Sequence, residues 1–175
     1  EPLFQFVLSD HYQRRNPHFA PPDDGRPVPE QSGSAPVFPL SRTLDRFNDL
    51  HTANRFTSAC GTTIYRDDLF GPGFEGNSFA PEPVHNLVHR EVLKRDGLWY
   101  SSRRAVDEER GEFLATSDNW SRPTSARTGP DGALWVADMV RAVIEHPEWI
   151  GPERLAGLDV RAGSDLGRIY RVYPV

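Results

Sequence analysis

"GFEGNSFAPEPVHNLVHREVL", residues 73–93, reads as two strands joined by a bend that holds Glu82, His85 and Asn86. Two residues suffice to close a hairpin, so an acid, an imidazole and an amide are more than the backbone needs there. The pattern returns downstream. "GFEGNSFAPE" (73–82) aligns on "GPDGALWVAD" (129–138): Gly-x-x-Gly, four mostly apolar or small residues, Pro or Ala, then an acid. The offset of 56 residues places Glu82 on Asp138. "NLVHREVL" (86–93) aligns on "GRIYRVYP" (167–174) at an offset of 81, with Arg90 on Arg171, so the second copy carries an insertion of about 25 residues between its strands. Repeated strand-rich units of tens of residues are the mark of β-propeller blades.

The bulk numbers narrow the class. A chain of 175 residues has room for one ordinary domain. With 37 % hydrophobic residues, 16 Pro and 14 Gly, and a mean hydropathy of −0.59, it is rich in loops and lean in core material. A net charge of −5 gives no attraction to nucleic acid or an anionic membrane. The lone Cys60 excludes an internal disulfide and any CxxC metal or haem-attachment site within these residues. No run approaches the ~20 apolar residues of a membrane span. The opening "EPLFQFVLSD" has no initiator Met and begins as if within a strand, which predicts a piece of a longer protein.

The expected fold is all-β: about three four-stranded propeller blades, with a loop over 16–41 and a short helical insertion over 138–160. Strands are expected at 2–9 and 59–66, and one helical turn within 42–56. Labelling blade strands a to d, 59–65 is a, 77–82 is b, 86–93 is c, and either 98–106 or 112–117 is d. The next blade takes 122–128, 133–138 and 167–173 as a, b and c. Met139, Val140, Val143 and Ile144 at helical spacing predict a helix that stops before Pro147, and Pro152 opens a second one. "DEERGE" (107–112) reads as a solvated excursion.

In an up-and-down sheet the connections alternate between ends. The b–c and d–a connections therefore share one rim, and all four polar stretches fall there: 48–55, 82–86, 117–123 and 138–146. The plain turns 67–76 and 128–132 go to the opposite end. At the shared rim, Glu82 and His85 read either as an acid-oriented imidazole that takes a proton from a sugar hydroxyl, or as a pair that holds a turn. Asp138 and Arg141 are either ligand contacts or a helix-start acid and a surface ion pair. Trp120 would stack on a sugar face while Arg122 holds a hydroxyl or an anion, or else the indole packs between blades. His51, Asn54, Arg55 and Asn86 would complete a polar cup. His89 and Arg90, within strand c, read as structural. Asp67 and Asp68, at the opposite end, read as a solvated turn, and His146 has no second imidazole at metal-ligand spacing.

Over "GTTIYRDDLFGPGFEGNSFAPEPVHNLVHREVL", "DNWSRP" and "GPDGALWVADMVRAVIEHPEWI", and on to "LDVRAGSDLGRIYRV", the chain resembles the membrane-bound dehydrogenase family of planctomycete-type bacteria, whose propeller is similar to the glucose/sorbosone dehydrogenases. The likeness runs from about residue 36 to the end. It implies an extracytoplasmic (periplasmic, membrane-associated or secreted) protein that oxidises a sugar or polyol. It also implies remaining blades elsewhere in the same protein or another chain, and electron transfer to a cytochrome domain whose haem c lies outside these residues. By the same resemblance the cofactors are pyrroloquinoline quinone and calcium at the propeller mouth. His85 stands where those enzymes carry a basic contact to the quinone, and an imidazole cannot form the two-pronged bond of a guanidinium. The alternative function is a non-catalytic propeller that binds glycans or a partner protein at the same rim.

Overall fold

The computed structural model describes residues 3–6, 8–20, 25–30, 35–41 and 54–175. Among them strands dominate and every sheet is antiparallel. A small pair, β1 (Phe4–Gln5) and β2 (Arg26–Pro27), flanks a single helical turn, α1 (Asp10–Gln13). The first main sheet runs β3 (Thr63–Ile64), β4 (Ser78–Glu82), β5 (Leu87–Asp96) and β6 (Trp99–Arg104) in that order. β7 (Leu114–Ala115) also pairs with β5. The second sheet is β8 (Pro123–Thr128), β9 (Leu134–Asp138) and β10 (Arg168–Val172), with β9 in the middle.

The internal repeat appears residue for residue in the pairing. Phe79 lies opposite Arg90 and Glu82 opposite Leu87 in the first sheet. Trp135 lies opposite Arg171 and Asp138 opposite Arg168 in the second. Both offsets read from the sequence, 56 and 81, are therefore those of the register. Both candidates for strand d also dock on β5: β6 along Glu91–Asp96 and β7 along Leu87–Val88.

Alternation along the strands sorts the side chains into faces. Phe79, Pro81, Val88 and Arg90 share one face of the first sheet and are buried. That face packs on Ala126, Leu134 and Val136 of the second sheet, with Tyr65 completing the cluster and Tyr170 and Val172 at its margin. The other face of the first sheet, Leu87 included, is covered by Ala35, Val37 and Phe56. Gly61 explains the close approach of the two sheets: its φ is +50°, and a Cβ there would lie 2.2 Å from the Thr124 carbonyl oxygen. Ala126 N–H donates to the Gly61 carbonyl at 3.1 Å.

Several sequence expectations change. The strand expected over 2–9 is ordered as strand only at Phe4–Gln5, and that expected over 59–66 only at Thr63–Ile64. The helical turn expected within 42–56 lies largely outside the described residues. The insertion is helical only in its second half, as a 3-10 turn at Pro147–Trp149 and α2 (Pro152–Leu155), which Pro152 opens as expected. Residues 139–146 are not helical because their amides are spent sideways. Met139 N–H donates to Arg122 O, Arg141 N–H to Trp120 O and Ala142 N–H to Ala162 O, while Val140 takes a left-handed φ of 53°. Among the described residues no helix is long and apolar enough to cross a membrane.

Candidate functional site: a polar rim

The chain enters the first bend through Pro81, Glu82 and Pro83 and leaves it at Asn86, whose φ of 61° an asparagine tolerates better than most residues. Glu82 is fully buried. Its Oε1 accepts from the amides of Thr57 (3.1 Å) and Ser58 (3.0 Å) and from both their hydroxyls. Its Oε2 accepts from His85 N–H at 2.7 Å and faces His85 Nδ1 at 3.0 Å. On the far side of the ring, His85 Nε2 accepts from Asn54 N–H at 3.0 Å. That bond fixes the proton on Nδ1, where it is donated to Glu82. Burial raises the Glu82 carboxyl, but the hydrogen bond from the His85 ring, with the backbone amides of His85 and Ser58, outweighs it and holds the pKa at about 2. The same acid and burial push the Cys60 thiol up, burial most of all.

The second bend repeats the arrangement. Asp138 is buried and accepts from Ser121 Oγ (2.9 Å), Arg122 N–H (2.6 Å), Val140 N–H (3.0 Å) and Arg168 Nε (3.1 Å). Arg122 joins the two bends. Its guanidinium, itself buried, donates to Pro83 O, Arg141 O and Ala142 O, each at 2.9 Å. Burial draws the Arg122 pKa below its ordinary value against the pull of Glu145, Glu82, Asp138 and Asp118. Asn86 Nδ2 donates to Ser121 O and to Asn119 O. Arg141 is turned onto backbone, with its NH1 on Met139 O, Val140 O and Gly163 O. At the opposite end, Tyr65 OH donates to Gly132 O at 2.8 Å, and Gly132 lies against Asp67 and Leu69, so the two plain turns meet there as well.

The structure thus gathers Asn54, Glu82, His85, Asn86, Trp120, Arg122, Asp138 and Arg141 at one end of the paired sheets. Arg55 is exposed and bridges Pro36, and His51 lies outside the described residues. Most of this polar set is turned inward, but Asn54 and Trp120 are exposed. Trp120, 42 % exposed, projects from a turn capped by Asp118 Oδ1 at 2.9 Å. Arg168 NH2 meets the same carboxylate at 2.8 Å, and that bond, with the Trp120 amide, lowers the Asp118 pKa.

Sequence reasoning missed the partners that saturate these groups: Thr57, Ser58, Ser121 and Arg168. It also missed a second buried network behind β5. His89 lies between Glu112 Oε2 (2.8 Å) and Glu91 Oε1 (3.3 Å). Arg104 NH2 meets Glu112 Oε1 at 3.0 Å, and Ser102 Oγ donates to Glu91. Arg90 pairs with Asp107 and Glu108 and lies 4.1 Å from the centre of the Phe74 ring. The run 107–112 is only partly a solvated excursion: Asp107, Glu109 and Arg110 are exposed, yet Asp107 and Glu108 reach the buried Arg90, and Glu112 reaches the buried His89 and the half-buried Arg104. Among the described residues no group of three or more His, Cys, Asp and Glu side chains converges as metal ligands.

Fold and site together define an all-β protein of two stacked antiparallel sheets with their polar bends on one rim. The chain matches, over residues 1–175, the family described as Domain of unknown function (DUF7133), and it belongs to that family. No curated protein and no solved structure matches it.

Proposed function

We propose that the chain is a run of propeller blades from an extracytoplasmic, dehydrogenase-like protein, and that its rim binds carbohydrate without supplying the group that removes a proton. One observation carries this reading: both ring nitrogens of His85 are engaged, Nδ1 with Glu82 and Nε2 with the Asn54 amide. A general base needs a lone pair aimed at substrate, and this imidazole has spent its own on the backbone. The acids are saturated in the same way.

Among the described residues the donor set does not suit pyrroloquinoline quinone or calcium. The quinone's carboxylates call for cations aimed into the mouth, whereas Arg122 and Arg141 are committed to backbone carbonyls and Arg168 to Asp118 and Asp138. Calcium calls for several convergent oxygens, and those of Glu82 and Asp138 already accept from amides, hydroxyls and a guanidinium. Carbohydrate is supported by the exposed indole of Trp120 beside the Asp118–Arg168 pair: an apolar plate edged with acceptors and donors, the combination a sugar ring needs.

The test titrates the chain with a panel of neutral oligosaccharides, followed by Trp fluorescence. A parallel assay supplies quinone, calcium, the same sugars and an artificial electron acceptor. Saturable binding that Trp120→Ala weakens several-fold, without sugar oxidation, is expected. Oxidation that His85→Gln abolishes while the circular dichroism spectrum stays unchanged would overturn the reading.

A further inference from the structure

We propose that the outward face of the second sheet, carrying Trp135, Ile169 and Arg171, is the seat of a third antiparallel sheet of the same repeat. The inference rests on the blade reading above and assigns it a specific surface. By the internal register, Trp135 is the counterpart of Phe79, Ala137 of Pro81, Ile169 of Val88 and Arg171 of Arg90. In the first sheet those four residues form the face that the second sheet covers. Phe79 and Val88 are 0 % exposed there.

In the second sheet three of the four, Trp135, Ile169 and Arg171, are open, and Ala137 is half-buried. Trp135 is 38 % and Ile169 70 % exposed. Arg171, the counterpart of the buried Arg90, is held at the surface by Asp131 and lies 4.6 Å from the centre of the Tyr173 ring. A β-branched side chain at that exposure, beside an indole and a phenol, is apolar surface of the kind soluble proteins cover.

The existing interface specifies what covers it. The first sheet receives Ala126, Leu134 and Val136, with Tyr170 and Val172 at the edge: small and aliphatic side chains from one face of a three-stranded antiparallel sheet. Repetition of that contact requires an occupant with the same face. A second copy of this chain cannot provide it. Its own face of that kind is buried against its first sheet, and the matching face of its first sheet, at Leu87, is covered by Ala35, Val37 and Phe56. The arrangement is closed on one side and open on the other, so the occupant is a further sheet from additional polypeptide.

Hydroxyl-radical footprinting read by mass spectrometry tests this, applied both to the 175-residue chain and to the protein isolated from the organism that makes it. Labelling of Trp135 and Ile169 is expected to be strong in the 175-residue chain and several-fold lower in the isolated natural protein. Equal labelling in the two samples overturns the proposal. So does protection in the 175-residue chain that grows with its concentration, since that makes a second copy the occupant. Oligosaccharide titration of the same samples keeps the two readings apart. Lost protection with retained sugar binding removes only the third sheet, and retained protection without sugar binding removes only the carbohydrate reading.

Discussion

Glu82 holds a full charge out of water because six donors replace the water it loses. Its folded pKa of about 2 lies below the ordinary 4.5. The stability it contributes is therefore complete above about pH 4.5 and is withdrawn as the pH falls toward 2. At 1.36 kcal/mol per unit the contribution is about 3 kcal/mol. Glu82→Gln is expected to cost a similar amount at neutral pH and to flatten the acid limb, as measured by urea unfolding between pH 2 and 7. An acid limb unchanged in the variant would assign the charge no role. Gly61 is the second decisive residue. Gly61→Ala adds a Cβ against the Thr124 carbonyl at a left-handed φ, and a loss of about 2 kcal/mol or more is expected in the same assay. The sequence made Glu82 conspicuous by its place in the bend. It could not reveal that Thr57 and Ser58, some 25 positions earlier, converge on that carboxylate, because such donors are brought in by folding and leave no local pattern.

Among the elements, the repeated strands and the second half of the insertion were legible, and the first half of the insertion was not. The Gly-x-x-Gly turns punctuate β4 and β9, and the repeat fixed their registers. Val140, Val143 and Ile144 have helical spacing, yet lateral hydrogen bonds to Trp120 and Ala162 claim the amides that a helix would use. The run 107–112 looked solvated for a related reason: alternating charge is the usual sign of a surface, and its partners His89, Arg90 and Arg104 sit on other elements. That network gives β5 a pH response of its own. Burial lowers the His89 pKa, but the hydrogen bonds its ring donates to Glu112 and Glu91 outweigh it and raise the imidazole above its ordinary 6.5. The facing groups are Glu112, Glu91 and Arg104, with Ser102 held by Glu91. A raised folded pKa stabilises most fully below pH 6.5 and loses that stabilisation as the pH climbs through the raised value. The His89 ring proton, followed by NMR, is expected to titrate above 6.5, and His89→Gln is expected to remove the corresponding alkaline loss of stability. A His89 midpoint at or below 6.5 would contradict the network.

At the scale of the molecule, the two sheets share their principal core, while the first sheet also packs Leu87 against Ala35, Val37 and Phe56 on its other face. Tyr65, Phe79 and Val88 come from the first sheet, and Ala126, Leu134 and Val136 from the second. Each set buries its side chains against the other, so the second sheet loses its buried face when the first melts, and the first loses the face opposite Leu87. The four Trp residues provide local reporters, since Trp99 lies on β6 and Trp135 on β9. In variants that keep only one of these two and replace the rest by Phe, thermal unfolding followed by fluorescence is expected to give coincident midpoints. Leu134→Ala empties a fully buried site at the centre of the shared cluster, a change that typically costs about 2–5 kcal/mol. Because the cavity opens onto both sheets, the substitution is expected to lower the Trp99 midpoint as much as the Trp135 midpoint, although Trp99 stands on the other sheet. If only the Trp135 signal moved, the sheets would be separate folding units, and the packing of one upon the other would be an association rather than a common interior.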